Sequence, residues 1–328
     1  MALNNLEWCR EKTVCNAIER FHRSKATVPD INRPKEDLKE IMNLLGDFLK
    51  ENYNLCDKIC YAGSAFESLN IAEEVPEFDV MLVIKKKQYL EIINESNGFC
   101  TIKCTNKMVC YPVDKNGNLV ANRFRHDFKG IVQKWVNIMT KEMKKEICVV
   151  EHGVATQIDV SRNGNLWYHV DLVPCFEVNS LGNRDKIVWC VPKPIDENKD
   201  QWRISYSQNE TPEANKLHAN AKMCIRIVKT LFKLETNGLF KQFTSYHIKT
   251  VAFHLNKGSW PDERSIGKTV YDFLSKTMNF LWQCNLKHFF NPNINILDSN
   301  KKNNYTQMAN TIQGWLRSEQ SFIKVFAF

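Results

Sequence analysis

A glycine–serine pair precedes two acidic residues that alternate along an apolar segment. Gly63 and Ser64 are followed, thirteen residues after the serine, by Glu77 and Asp79, and residues 80–84 are apolar. Residues two apart on a strand project from the same face, so both carboxylates would lie at the mouth of a buried strand. Such close like charges repel unless a cation separates them. Mg²⁺, with Mn²⁺ as an alternative, suits carboxylate ligands and substrate phosphates, so the pattern indicates a divalent-metal site.

A third carboxylate would complete this metal site, and two aspartates are candidates. Asp171 lies within the apolar run 169–173, where an isolated charge would be costly without a partner. Asp159 is the alternative, because Gln157, Asp159 and Ser161 would share one strand face. The more apolar flanks favour Asp171. Two metal ions held by three carboxylates would activate an attacking hydroxyl and neutralise a departing pyrophosphate, which is the chemistry of a nucleotidyltransferase.

The Gly63–Ser64 pair suits the phosphate side of the same chemistry. Glycine allows a close approach of the backbone, and residues 65–68 can open a helix whose N-terminus, with the serine hydroxyl beside it, would hold a phosphate. Taken alone, a Gly-Ser pair is a common turn, and a Glu-x-Asp pair commonly ends a solvated strand. Their order, their spacing and the buried strand that follows favour the functional interpretation.

Hydrophobic periodicity predicts an α+β protein in two parts. Helices are expected within residues 1–53, with a second helix beginning near Pro34, and over residues 216–234, 245–255 and 268–290. Short apolar runs predict strands at residues 78–84, 155–160, 166–173 and 188–191. The mixed part is expected over residues 1–195 and the mostly helical part over residues 196–328, joined near the Pro-rich, charged segment 192–200.

The overall composition restricts the class of protein. Of 328 residues, 43% are hydrophobic and 25% are charged, which is typical of globular chains. No run of eighteen apolar residues predicts a membrane span, and no apolar segment near the N-terminus predicts a secretory signal. Both findings point to the cytosol or the nucleus, and of the two we expect a cytoplasmic location. The 12 cysteines form no CxxC pair, which argues against structural zinc. The net charge of +8 is compatible with a polyanionic partner.

Several motifs together resemble those of cyclic GMP-AMP synthase and the cyclic GMP-AMP synthase-like receptors. They are Gly63-Ser64 with the EFDVML segment at residues 77–82, WRISYS at 202–207, CIRIVK at 224–229 and SYHIKT at 245–250. The similarity runs in the same order from about residue 55 to residue 290. It implies a bilobal nucleotidyltransferase fold, in which a mixed twisted β-sheet with N-terminal spine helices forms the core and the C-terminal lobe is helical.

The resemblance also implies a role for each matching residue. Glu77, Asp79 and Asp171 would be catalytic and hold the metal ions, and Gly63 and Ser64 would meet the donor triphosphate. The remaining nucleotide-binding positions would be Arg203, Ser205, Ser207 and Glu210 for the acceptor, Lys229 and Ser245 for phosphates, Tyr246 for base stacking, and Lys249. An arginine fork and an aromatic face suit these tasks. Taken singly, Tyr246 could equally be a core tyrosine and Lys229 a solvated lysine.

One departure from the family concerns its nucleic-acid ligand. Vertebrate cyclic GMP-AMP synthase carries a zinc thumb, whereas residues 208–223 here contain no cysteine, and His218 and Cys224 stand alone. Members without the thumb resemble insect receptors for double-stranded RNA. The resemblance therefore implies an innate-immune, antiviral enzyme that makes a cyclic dinucleotide from ATP and GTP. Its expected activator is double-stranded RNA, with double-stranded DNA as the second candidate. Binding of the activator could also cause the protein to form a dimer. A catalytically weak regulatory relative and a linear synthase of the oligoadenylate synthase kind are the alternatives.

Basic residues are frequent in two stretches that could contact RNA phosphates. A-form RNA is recognised mainly through its phosphates and 2′-hydroxyls. Acidic residues are interspersed, so the same stretches could be ordinary solvated helix faces. The candidate contacts are Arg10, Lys12, Arg20, Arg23, Lys25, Arg33, Lys35, Arg123, Arg125, His126, Lys129, Lys134, Lys141, Lys144 and Lys145.

Overall fold

The computed structural model describes residues 6–27, 30–71, 75–85, 87–106, 111–152, 155–193, 200–235 and 237–327. They confirm the predicted α+β class and divide into two compact units. The sheet unit comprises Asp30–Phe66 and Glu74–Thr211, and the helical unit comprises Met1–Pro29, Glu67–Glu73 and Pro212–Phe328.

The strands of the sheet unit form one mixed sheet. Within the described residues they are β1 (Lys58–Ala62), β2 (Glu77–Ile84), β3 (Leu90–Ser96), β4 (Phe99–Cys104), β5 (Glu146–His152), β6 (Ala155–Arg162), β7 (Asn165–Ser180), β8 (Asn183–Val191) and β9 (Trp202–Ser205). Neighbouring strands pair in the order β1-β2-β7-β3-β4-β9-β8. In addition, β6 pairs with β7, and β5 pairs with β6. The predicted strands correspond to β2, β6, β7 and β8, whereas β1, β3, β4 and β5 were not predicted.

β7 is the central strand because it pairs along both halves of its length. Its first half runs parallel to β2 and antiparallel to β6, and its second half runs antiparallel to β8. The side chains of Tyr168, Val170 and Leu172 on one face of β7 are completely buried. The opposite face carries polar residues over the same stretch, and this alternation places His169 and Asp171 side by side.

Two long helices supply most of the helical packing in the sheet unit. They are α2 (Asn32–Tyr53) and α4 (Ala121–Glu142), and a single helical turn, α3 (Ser64–Glu67), begins directly after β1. Pro34 lies in the first turn of α2, as predicted. The buried stripe of α4 includes Phe124, Phe128 and Trp135, and burial of one such side chain contributes about 1.5–3 kcal/mol.

The predicted boundary at residues 195–196 stays a prediction. β9 lies beyond this boundary, yet it pairs with β4 and β8 and is therefore part of the sheet. Most of the predicted seam, residues 194–199, lies outside the described residues.

Within the described residues, six α-helices of the helical unit share an apolar core, and a 3₁₀ helix joins them from the N-terminus. After α5 (Ser207–Lys216), which leads out of the sheet unit, its helices are α1 (Lys12–Lys25), α6 (Ala219–Leu234), α7 (Ser245–Leu255), α8 (Ile266–Gln283), α9 (Lys302–Trp315) and α10 (Glu319–Val325) within the described residues. The N-terminal segment is the 3₁₀ helix Leu6–Arg10. The core includes Ile18, Leu231 and Phe273. No helix in the described part of the chain is long and apolar enough to cross a membrane.

The prediction of one helix over residues 268–290 was wrong at its C-terminal end. α8 ends at Gln283 because Cys284 adopts a left-handed conformation with φ of 47° and its amide returns to the carbonyls of Leu281 and Phe280. Residues 285–290 follow without helical structure, and the side chain of Asn295 accepts a hydrogen bond from the amide of Leu286 at 2.9 Å. Apolar side chains continue at helical spacing after Gln283, so the sequence pattern predicted a helix longer than α8.

Candidate active site

Three carboxylates meet where β2 and β7 begin their parallel pairing. Asp79 lies opposite Asp171 in the register of the two strands, and Glu77 lies one pleat earlier, opposite His169. One oxygen from each of Glu77, Asp79 and Asp171 lies within 4.8 Å of the other two. The structure therefore brings together the three residues that the sequence singled out.

Gly63 lies directly against this carboxylate set. β1 is antiparallel to β2 with Ala62 opposite Asp79, so the chain leaves the sheet beside that aspartate. Gly63 then turns with φ of +80°, and a Cβ at this position would overlap the carboxylate of Asp79. Glycine is required here both for its conformation and for the space that it leaves. Ser64 follows as the first residue of α3, which begins and ends one residue before the helix expected over residues 65–68.

The chemistry of the donor set fits a hard divalent cation. Mg²⁺ and Mn²⁺ prefer oxygen ligands, and the three grouped residues offer only carboxylate oxygens. Glu77 is exposed while Asp79 and Asp171 are half-buried, so the set is open on one side to water or substrate oxygens. This arrangement matches a metal site that shares its ion with phosphates.

Asp159, the alternative third carboxylate, has a different partner. Its Oδ1 lies 2.6 Å from Nδ1 of His169 and 2.7 Å from Nε2 of Gln157. The register places Asp159 opposite His169 and Gln157 opposite Asp171, so this trio forms the next row on the same sheet face. His169 was not predicted as a site residue. Its position two residues before Asp171 on a strand is the signal that could have found it.

Two cationic residues, Arg203 of β9 and Lys193 just after β8, influence the same region. Arg203 lies opposite Val191 where β9 pairs with β8, and Lys193 follows two residues after Val191. Desolvation and the Arg203 guanidinium lower the pKa of Lys193, while the carboxylates of Asp171 and Asp79 act in the opposite direction. Lys193 was missed because its Pro-Lys-Pro context was interpreted only as the end of a strand.

The other residues predicted to bind the acceptor nucleotide follow Arg203 along the chain. Ser205 ends β9 and Ser207 begins α5, and their hydroxyl oxygens lie 3.0 Å apart. Glu210 is buried in the first turn of α5, where its amide donates to the carbonyl of Tyr206 at 2.9 Å. The turn of α5 thus brings the two serines together, while Glu210 lies within the protein.

The remaining predicted site residues belong to the helical unit, where both lysines among them have protein partners. Lys229 Nζ donates to the carbonyl of Leu69 at 2.9 Å, and Lys249 Nζ lies 3.1 Å and 3.2 Å from the two carboxylate oxygens of Glu67. Ser245 is exposed in the first turn of α7.

Tyr246 is held by a buried histidine. His288 Nδ1 accepts from the amides of Phe290 and Asn291, each at 3.1 Å. Its Nε2 therefore carries the ring proton and donates to the Tyr246 hydroxyl at 2.6 Å.

The region that carries the zinc thumb in vertebrate relatives is a short helical connection here. His218 is the N-cap of α6, since its Nδ1 accepts from the amide of Asn220 at 3.1 Å. The Cys224 side chain is fully buried in the core of the helical unit. Both side chains therefore have structural roles.

Comparison with known proteins assigns both parts of the chain. Residues 66–212 match the Mab-21 protein nucleotidyltransferase domain, and residues 220–314 match the Mab-21 protein HhH/H2TH-like domain. Cyclic GMP-AMP synthase-like receptor 3 of Stylophora pistillata is 29% identical over 304 residues, which cover 85% of this chain and 86% of that protein. A cyclic GMP-AMP synthase-like receptor of Nicrophorus vespilloides is 23% identical over 336 residues, 93% of each chain. The expected resemblance is confirmed, and the chain belongs to the Mab-21 family, whose nucleotidyltransferase domain it carries.

Proposed function

We propose that the protein is a double-stranded-RNA-activated nucleotidyltransferase that joins ATP and GTP into a cyclic dinucleotide, in cytoplasmic innate immunity. The observation that carries the catalytic part is the convergence of Glu77, Asp79 and Asp171 on one sheet face. The two relatives named as cyclic GMP-AMP synthase-like receptors support the product class. The missing thumb supports RNA as activator over DNA.

The carboxylates are the residues that would hold Mg²⁺ or Mn²⁺. When bound, such ions neutralise triphosphate charge and lower the pKa of an attacking hydroxyl. Gly63 lets the backbone lie directly against the carboxylate of Asp79, and Ser64 follows as the first residue of α3, where its hydroxyl would meet the triphosphate. Arg203 and Lys193 supply positive charge for phosphate oxygens. In each of two steps a ribose hydroxyl would attack an α-phosphorus, forming a phosphodiester and releasing pyrophosphate.

Exposed cations of α4 and the turn after it support an RNA-binding role. Arg123, Lys134, Lys141 and Lys144 are exposed. By contrast, Lys145 is engaged with Asp37 and Glu40, each at 3.4 Å, so we place it outside the RNA contacts. Since phosphate contacts release counterions, activation by RNA should weaken steeply as salt rises.

The product assay tests this function directly. Purified protein is incubated with Mg²⁺, ATP, GTP and long double-stranded RNA, and the products are identified by mass spectrometry. Double-stranded DNA and each nucleotide alone serve as comparisons. We expect a cyclic dinucleotide only with RNA and both nucleotides. Linear products from ATP alone would favour a synthase of the oligoadenylate kind. No product with any nucleic acid would favour a regulatory relative.

The choice of third carboxylate gives a matched pair of variants. Asp171→Asn should lower product formation roughly 10²–10³-fold, because it removes a carboxylate from the metal site. Asp159→Asn removes a carboxylate from the same sheet face, but one that pairs with His169. It should retain most of the activity. Equal losses in both variants would contradict the assignment of Asp171.

A further inference from the structure

Three cations of the helical unit hold three consecutive residues that follow Phe66. Lys249 of α7 binds both carboxylate oxygens of Glu67, at 3.1 Å and 3.2 Å. Arg226 of α6 donates through Nη1 to the carbonyl of Ser68 at 2.9 Å, and Lys229 of α6 donates to the carbonyl of Leu69 at 2.9 Å. Glu67 is also the last residue of α3. We call residues 67–69 with their three cations the α3 anchor.

The ion pair in this anchor is buried on both sides. The side chain of Glu67 is 2% exposed and that of Lys249 is 13% exposed. A charge removed from water to this extent is stable only when it is paired with good geometry. Loss of either partner removes this compensation from the buried charge that remains. The pair therefore fixes the position of the Glu67 carboxylate far more strictly than a surface ion pair would.

The backbone held by the anchor has an unusual conformation. Ser68 has φ of +60°, a region that residues other than glycine seldom adopt. Its carbonyl accepts the hydrogen bond from Arg226. The side chain of the next residue, Leu69, is buried, with 2% of its surface exposed. A left-handed residue commonly ends a helix, so Ser68, held by Arg226, ends α3 at Glu67.

We propose that Glu67 and Lys249 are positioning residues of the reaction, which act through α3 on the Gly63–Ser64 turn. Ser64 and Glu67 are the two ends of one helical turn, so a constraint at Glu67 is transmitted over a single turn to the serine. The preceding Gly63 abuts Asp79, which leaves the turn little freedom at its other end. In this role Lys249 contacts Glu67 and not a nucleotide phosphate. This inference rests on the proposed nucleotidyltransferase function.

Replacement of the pair by methionines separates positioning from phosphate binding. The variants are Glu67→Met, Lys249→Met and the double variant, because methionine approximates the length of both side chains. If the pair positions α3, either single variant should lower kcat at least about 10-fold with nucleotide KM within about twofold. The double variant should recover part of the loss, since an apolar pair leaves no buried charge. If Lys249 instead binds phosphate, Lys249→Met should raise KM while Glu67→Met leaves it unchanged.

Hydrogen–deuterium exchange of the full-length protein without nucleotide gives a second, independent readout. Amides of residues 64–71 should exchange faster in both single variants than in the wild type, and less so in the double variant. Lys268→Met, which breaks the Lys268–Asp272 pair on α8, should not affect these amides. Unchanged exchange in both single variants would overturn the proposal, even if the wild type makes no product. Should the methionine variants fail to fold, Glu67→Gln and Lys249→Arg test the same exchange prediction.

Discussion

At the scale of single residues, Gly63 is the most constrained position of the site. Its backbone has positive φ, and its missing side chain leaves room for the carboxylate of Asp79. The sequence suggested glycine for close approach to phosphate. The structure adds that the same space is needed by the protein's own carboxylate, which no spacing rule reveals because it depends on the β1–β2 register.

Gly63→Ala and Gly164→Ala separate these two requirements. Both glycines have similar φ, +80° and +77°, but a Cβ at Gly164 meets nothing within 4 Å. Each variant should lose about 1–2 kcal/mol of unfolding free energy from the left-handed conformation. Only Gly63→Ala should also lose activity, by about 10²-fold, since it displaces Asp79. Urea unfolding and product assays check this, and an active Gly63→Ala variant would contradict it.

At the scale of elements, prediction was best where a run of apolar residues marks a buried strand. β2 and β7 carry apolar runs long enough to be identified, and residues two apart then share a face. β3, with four of its seven residues exposed, gave no such signal. The carboxylate pair on β2 was therefore predictable from spacing. The partners of Lys229 and Lys249 were not, because they depend on how α6 and α7 pack around residues 67–69.

The packing of α1 on α6 predicts a loss of stability in acid. Arg226 donates through Nε and Nη2 to Nε2 of His22, each at 3.3 Å, which requires a neutral imidazole. Burial, Arg226 and Arg23 lower the pKa of His22, and Glu19 opposes them. The folded-state pKa thus lies below the unfolded value, so this stabilisation is complete above about pH 6.5 and is lost as the pH falls through the folded-state pKa.

Urea unfolding at pH 7.5 and 5.5 measures this effect. The wild type should lose more unfolding free energy between the two pH values than His22→Gln, by on the order of 1 kcal/mol. Glutamine is the matched replacement because its side-chain oxygen can accept from Arg226 without titrating. An equal loss in both proteins would exclude His22 as the source.

At the scale of the whole molecule, the three carboxylates proposed as metal ligands all belong to the sheet unit. Glu77, Asp79 and Asp171 repel one another without a cation, so Mg²⁺ should stabilise the unit that holds it. The gain is about 2.7 kcal/mol when free Mg²⁺ is a hundred times its Kd. Hydrogen exchange should slow in β2 and β7 more than in α8. Asp171→Asn should remove this effect of Mg²⁺, and a Mg²⁺ effect that persists would place the ion elsewhere.

The parallel pairing of β2 with β7 also has a consequence for synthesis on the ribosome. Asp79 and Asp171 are neighbours in the sheet but far apart in the chain. Within the described residues, the four strands β3 to β6 and the long helix α4 are translated between them. Contacts of such high sequence separation form slowly and late in folding. A nascent chain that has released β2 but not β7 has no complete carboxylate set. The proposed nucleotidyltransferase site therefore cannot assemble before β7 has been translated and paired with β2.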